Sequence, residues 1–245
     1  MLGERLDVPD AHRQTLALTF DDGPDPRGTI HVLEALERHR VPATFFLWGE
    51  QASRYPDIVR QILASGHSVQ PHCWMHASHW TLTPRQIQDD LDKVLNLLRD
   101  LGVPRPYLWR PPYGHVLRGV TKKIASHWGL ALAGWTINPH DYDDTSVGEM
   151  HRVVCARLRS DAPNVVIMHD GCSEPGQVRL DASNTVKLLE VLLNQNVQRA
   201  VTLTSGLGGG LSLGPVGLAG QPGLQWLARM RRRLRSRRGV ALPLR

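Results

Sequence analysis

Leu16-Ala17-Leu18-Thr19-Phe20-Asp21-Asp22-Gly23-Pro24 is the stretch on which the fold turns. Leu16, Leu18 and Phe20 alternate with smaller residues, the pattern of a short buried strand. Gly23-Pro24 stops that strand, so the adjacent carboxylates Asp21 and Asp22 stand at its carboxyl end. In barrels built of strand–helix units, catalytic groups collect at that end. A solvated Asp-Gly turn would be written in the same letters. On this stretch alone the turn is the simpler reading, and the surrounding chain has to decide.

Outward from it, Thr29 to His39 carries a helical stripe of Ile30, Leu33, Ala35 and Leu36, ended by Val41-Pro42. Ala43 to Trp48 is a second apolar strand, closed by Gly49. Tyr55 to Ala64 predicts a helix with Ile58, Val59, Ile62 and Leu63 on one face, and His67-Ser68-Val69 a short strand before His72. Thr83 as cap and Pro84 as first residue open a long helix, whose stripe is Ile87, Leu91, Val94, Leu95 and Leu98 and which Gly102 closes. Further strands are expected at Tyr107 to Trp109, Leu130 to Trp135, Asn164 to Met168 and Ala200 to Leu203, with helices at Leu117–His127, Ser146–Arg159 and Asp181–Gln195. Strands that alternate with helices run parallel. The expected fold is α/β, a distorted (β/α) barrel of about seven parallel strands, occupying residues 1–205.

From Ser205 the alternation stops. Gly206 to Gly223 is a Gly-, Leu- and Pro-rich linker. Leu224 to Arg235 forms either a short basic amphipathic helix, suited to an anionic membrane surface or an acidic polymer, or a solvated tail. Residues 206–245 are therefore set apart as linker and tail. The net charge of +6 comes from this tail, since eight arginines and no acid follow from Arg229 onward. The remainder holds 21 basic residues against 23 acidic ones, which argues against a nucleic-acid-binding body.

No apolar run approaches the ~20 residues of a membrane-spanning helix. The charged start, Met1 to Asp7, does not have the form of a signal peptide, and the expected location is cytoplasmic or peripheral to a membrane. A trimmed N-terminus would leave secretion open. Cys73, Cys155 and Cys172 are odd in number and lack Cys-x-x-Cys spacing, so they read as reduced thiols rather than a disulfide or zinc framework.

His72 and His76 are four residues apart; on one helical turn both imidazoles would face the same way and hold one metal. Among 12 histidines such a pair is a weak signal. With a carboxylate it becomes a two-His, one-carboxylate set that leaves positions open for water and substrate.

Five ordered segments then converge on one resemblance. Thr19-Phe20-Asp21-Asp22-Gly23-Pro24 resembles the first motif of the NodB-type polysaccharide deacetylases, and Gly66-His67-Ser68-Val69 leading to His72-x-x-x-His76 their second. Arg110-Pro111-Pro112-Tyr113-Gly114 is similar to the third, Trp135 to Tyr142 to the fourth, and Val166-Ile167-Met168-His169-Asp170 to the fifth. The resemblance covers roughly Leu16 to Leu203.

It implies an enzyme that removes acetate from an N-acetylated amino sugar. Asp22, His72 and His76 would hold a divalent metal, zinc before cobalt or another ion, which makes water acidic enough to supply hydroxide near neutral pH. Asp21 would be the general base and His169 the general acid. Arg110 would orient Asp21 by bidentate contact, and Asp141 would keep His169 charged. The Tyr113 backbone N–H would stabilise the oxyanion, with Ile167 and Tyr142 lining the acetyl pocket. The implied partner is a glycan: chitin oligosaccharide, peptidoglycan or another amino-sugar substrate. Taken singly, Arg110 could stand in an ordinary loop, Asp141 could cap a helix, and His169 could be a buried strand-end histidine. His67, His79, His115 and His140 are assigned no role.

The chain departs from the family pattern at Gln70-Pro71, Cys73, Met75, Asn138 and Tyr142. These departures touch neither ligand, base nor acid, and so bear on substrate choice and rate. Two rival readings remain: a related amidohydrolase acting on a non-sugar C–N bond, and a glycan-binding protein without turnover.

Overall fold

The computed structural model describes residues 16–106, 108–117, 119–160, 163–171, 182–194 and 203. Its first strand, β1 (Leu16–Asp21), is buried along its whole length. Leu18 and Phe20 point outward into the large apolar layer beneath the helices, while Ala17 belongs to the smaller cluster inside the sheet. The small residues alternating with Leu and Phe thus face a narrow interior, and Asp21 continues that interior row at its upper end.

Helix α1 (Thr29–His39) follows, then β2 (Thr44–Trp48), α2 (Gly49–Arg54), α3 (Pro56–Ala64) and β3 (Ser68–Cys73). The chain continues through α4 (Pro84–Asp100), β4 (Leu108–Trp109), α5 (Val120–His127), β5 (Ala131–Leu132), α6 (Val147–Arg157), β6 (Asn164–His169) and α7 (Ser183–Asn194). Thr83 caps α4 as its Thr-Pro start predicts, and Gln86 completes a reciprocal capping box.

Four strands form one parallel sheet in the order β3-β2-β1-β6, and β4 pairs with β5 in a second. Polar contacts join the two into a ring. The Leu108 N–H donates to the Gln70 side-chain oxygen at 3.0 Å, and the Arg110 N–H to the Pro71 carbonyl at 3.3 Å. Beyond β5, Ile137 bridges to Val166, and the Ile167 N–H returns to the Ile137 carbonyl at 3.0 Å. The barrel is therefore closed but distorted: two of its sides are two-residue strands and isolated bonds. Phe46, Leu108, Ala133, Val165 and Leu203 fill its interior together with Ala17.

Several expectations change. Six strands are present among the described residues where seven were expected; of Ala200–Leu203 only Leu203 is described, and its N–H bonds Thr44 Oγ1 at 3.0 Å. The strand expected at 130–135 shrinks to two residues, because Gly134 turns its carbonyl to the Arg110 side chain at 2.9 Å. The strand at 107–109 stops at Trp109, since Pro111 and Pro112 offer no N–H to extend it. Helix α2 was not anticipated, and α5 starts at Val120 rather than Leu117. Cys172 and the linker and tail from 206 lie outside the described residues. No helix among the described residues is long and apolar enough to cross a membrane.

Candidate active site

The carboxyl ends of β1, β3 and β6 bring Asp21, His72 and His169 to one mouth of the barrel, with Asp21 in register with His169. Asp21 is 2% exposed and Arg110 fully buried. Arg110 Nη1 donates to Asp21 Oδ1 at 2.7 Å and to Thr19 Oγ1 at 2.8 Å. Its guanidinium lies over the Phe46 ring, 4.0 Å from the centroid. The bidentate grip expected of Arg110 is absent: its second amine holds the Gly134 carbonyl instead. Splitting its donors in this way ties Asp21 to β1 and to the loop after β5 at once.

Asp22 adopts a positive φ of 75°, which Asp tolerates better than most residues. The following turn is pinned by a bond from the Trp48 N–H to the Gly23 carbonyl at 2.9 Å, and the Gly23-Pro24 bond is cis. Only glycine fits at 23, because a Cβ there would lie 2.4 Å from Asp170 Oδ2.

The two histidines do not share a helical turn. His72 lies in β3, and His76 follows the bend at Trp74-Met75. The register slips between Leu47 and Trp48, which pair with Pro71 and Cys73, so His72 is the extra residue of a bulge. Bulges re-aim side chains beside functional sites. Here the bulge supplies the convergence that the spacing alone suggested for a helix.

His72 Nε2 and His76 Nε2 lie 3.3 and 3.1 Å from Asp22 Oδ1. One atom from each of the three residues falls within 4.8 Å of the others. Asp22 Oδ1 is buried yet has no hydrogen bond of acceptable geometry, and neither does His72 Nδ1. The three groups thus crowd together without ordinary hydrogen bonds, as donors to one shared ion would. Burial acts to raise the Asp22 pKa, but the two imidazoles outweigh it and hold the carboxyl well below its usual range. An anionic oxygen with two imidazole nitrogens is a donor set that suits a divalent cation of the zinc type.

At the opposite side, Asp141 Oδ1 meets His169 Nδ1 at 2.9 Å, and Oδ2 accepts from the His169 N–H at 2.7 Å and from Thr185 Oγ1 at 2.8 Å. Burial pushes the His169 pKa down, but Asp141, helped by Asp22 and Asp21, outweighs it and raises the value to about 9. The imidazole is therefore protonated at neutral pH. Tyr142 stands edge-on to it, with ring centroids 5.1 Å apart. Its hydroxyl is engaged by Asn138 and His140, both at 3.0 Å. Ile167 lies two residues before His169 on the same face of β6 and is 4% exposed.

Tyr113 also has a positive φ, 59°, in the short turn Pro112–Gly114. Its hydroxyl lies 3.2 Å from His76 Nδ1, a contact not anticipated from the sequence. His67 and His79 are buried among other groups, and burial lowers each pKa to about 4.

The sequence reading also missed Asp90, which accepts the Trp74 and Met75 N–H groups at 2.7 Å each and so braces the loop between the two histidines. Its signal was present: position 90 falls on the apolar stripe of α4 beside Ile87 and Leu91, where a carboxylate needs partners. Asp170 was overlooked as well. It is fully buried, receives Thr29 Oγ1 at 2.6 Å and packs under Gly23, and burial raises its pKa to about 7.

A family model described as polysaccharide deacetylase matches residues 9–133. The chain is 34% identical over 187 residues to the chitooligosaccharide deacetylase of Bradyrhizobium sp. (strain ANU 289), which covers 74% of this chain and 83% of that one. It is 33% identical over 165 residues to the peptidoglycan-N-acetylglucosamine deacetylase PgdA of Listeria monocytogenes serotype 1/2a (strain 10403S). That match covers 67% of this chain but only 34% of PgdA, so the chain spans about a third of that relative's length. Among solved structures, the Bc1960 peptidoglycan N-acetylglucosamine deacetylase superposes with a TM-score of 0.72 at 28% identity, over 83% of this chain and 92% of that one.

Proposed function

The chain belongs to the polysaccharide deacetylase family, and from that membership we propose that it hydrolyses the N-acetyl amide of an amino sugar in a glycan, releasing acetate and leaving a free amine. The observation that carries this reading is one barrel mouth that holds a buried carboxylate (Asp21), a three-residue metal donor set and a protonated histidine (His169). The names of the relatives point to N-acetylglucosamine in chitooligosaccharide or peptidoglycan as the class of substrate.

The donor set fits a divalent ion: Asp22 Oδ1 is buried without a hydrogen bond, and both Nε2 atoms converge on it. Zinc is the ion we propose. Held by Asp22, His72 and His76, it would supply Lewis-acid chemistry, polarising the amide carbonyl and acidifying water.

The remaining chemistry belongs to the side chains. Asp21 accepts the proton of the attacking water. Arg110 holds that carboxylate stationary through Nη1, and its contacts to Thr19 and the Gly134 carbonyl fix the guanidinium in turn. His169 delivers a proton to the departing nitrogen, which would otherwise leave as a poor amide anion. Asp141 ensures that the proton is present. Ile167 and Tyr142 border the place of the acetyl methyl, beside His169.

The test is acetate release from N-acetylglucosamine oligomers by metal-stripped protein, before and after zinc is added. Zinc-dependent release, reduced about a hundredfold or more by Asp21→Asn and by His169→Ala, is the expected result. Turnover of a non-sugar amide alone would move the reading to the amidohydrolase alternative. Retained oligomer binding with no release would leave a binding protein.

A further inference from the structure

Beside this mouth the chain exposes aromatic surface. Among the described residues, the large apolar side chains that face solvent are Trp80 (55% exposed), Met75 (52%) and Leu158 (48%). Two of these three lie in the segment just after His72. Tryptophan normally buries most of its ring. Trp80 does so on one face only, lying flat against the His115 imidazole with centroids 3.6 Å apart and planes 10° from parallel.

The plate is held in place by its edges. Its indole N–H donates to the Val116 carbonyl at 3.3 Å, and its backbone N–H to Ser78 Oγ at 3.2 Å. Ser78 Oγ in turn bonds His115 Nδ1 at 2.8 Å, which fixes the ring underneath. An exposed Trp stacked and hydrogen-bonded in this way loses little further freedom on binding a ligand.

The covered face leads inward to the candidate metal ligands. The His115 and Tyr113 centroids are 5.4 Å apart, and those of Tyr113 and His76 are 4.6 Å apart. Two rings therefore stand between Trp80 and His76. A sugar resting on Trp80 is not the one whose amide reaches Asp21 and Asp22.

We infer that Trp80 is a stacking platform for a pyranose ring of an N-acetylated oligosaccharide, bound beyond the sugar that reacts. The C–H bonds on the apolar face of a pyranose carry partial positive charge and suit the negative face of an indole. This inference rests on the deacetylase reading above and deepens it: the substrate is an oligomer long enough to cover both places, not a single amino sugar. Contact this far from the reacting amide strengthens binding of longer substrates without altering the chemistry.

The experiment compares wild type, Trp80→Ala and Trp80→Phe on N-acetylglucosamine oligomers of increasing length, read as kcat and KM, with binding of the same oligomers to metal-stripped protein measured by calorimetry. Trp80→Ala should leave the shortest turned-over oligomer unaffected and lower kcat/KM on the longest by about tenfold, through KM, with a matching loss of affinity. Trp80→Phe should retain most of both. An equal loss on short and long oligomers would make Trp80 a brace for His115 and Tyr113 and overturn the inference, as would an unchanged dependence on length. Should wild type release no acetate, the deacetylase reading fails while the binding arm still decides the platform: oligomer affinity lost in Trp80→Ala upholds it, and equal or absent affinity in wild type rejects it.

Discussion

At one side of the barrel mouth, Asp141 has both oxygens engaged, by His169 Nδ1, the His169 N–H and Thr185 Oγ1. At the other, Asp22 Oδ1 faces two imidazoles with no sound hydrogen bond, and His72 Nδ1 is likewise unpartnered among the described residues. Both places are buried clusters of one carboxylate and histidine, yet one is saturated by the protein and the other is not. Buried polar atoms left without partners cost free energy, and folds tolerate them where something else completes the set. The His169 side carries its charge balance within the chain, whereas the Asp22 side leaves unpartnered atoms among the described residues that the proposed cation would complete.

That contrast is most sharply tested by taking the ligand side apart. Zinc at about a thousand times its Kd should stabilise the native protein by about 4 kcal/mol, seen as a rise in Tm. Asp22→Ala should abolish that rise and lower acetate release by on the order of a thousandfold or more. His169→Ala should leave the zinc-dependent rise in place. A stabilisation by zinc that survives Asp22→Ala would show that the unpartnered atoms are not a metal site.

The acid side is broken through its pH dependence. The pKa of His169 in the folded chain is raised to about 9, so the stability it contributes is complete below the ordinary histidine value of about 6.5 and is lost as pH rises through about 9. For a general acid, activity falls over the same upper range. Asp141→Asn removes the main charge that opposes the burial of His169, and should move the alkaline limb of kcat/KM down by about 1–3 units. The stability difference between wild type and variant should shrink between those pH values. Nuclear magnetic resonance titration of the His169 ring checks the assignment, and a limb that stays put would deny Asp141 this task.

How much of this was legible beforehand follows from how local each feature is. Helix α4 could be read almost to the residue, because Thr83, Pro84 and Gly102 act on their own neighbours. The alternation in β1 gave the strand, and its side chains divide between helices and barrel interior as period two requires. The pairing of His72 with His76 was visible, but its geometry was not. A bulge depends on the register against β2, and no spacing within β3 reveals it. The division of the Arg110 donors was hidden for a similar reason, since Thr19 and Gly134 are distant in sequence. The short β4 and β5 depend on the prolines after Trp109 and on a carbonyl diverted to a side chain, and only the first of these is written locally.

A finer asymmetry exists within the ligand side. His76 Nδ1 has the Tyr113 hydroxyl at 3.2 Å, while His72 Nδ1 has no such partner among the described residues. Partners on the far nitrogen fix the tautomer and the ring orientation of a metal ligand. Tyr113→Phe should therefore weaken zinc binding by about tenfold in a chelator competition, with kcat at saturating zinc nearly unchanged. A fall in kcat without loss of affinity would place the hydroxyl in the reaction instead.

The smallest change concerns how the saturated side is held. Thr185 lies near the start of α7, and its hydroxyl donates to Asp141 Oδ2, so this helix is tied directly to the residue that orients His169. Thr185→Val keeps the shape and removes the donor. Among the described residues Asp141 Oδ2 would retain only the His169 N–H, and since the Asp141 side chain is fully buried, bulk water does not replace the lost bond. Denaturant unfolding should register a loss of about 1 kcal/mol, with zinc affinity unchanged. A neutral substitution would mean that the backbone bond alone is enough, and that the acid side owes its order to β6 rather than to α7. A loss of zinc affinity would show that the two sides are coupled through the barrel and do not act as separate clusters.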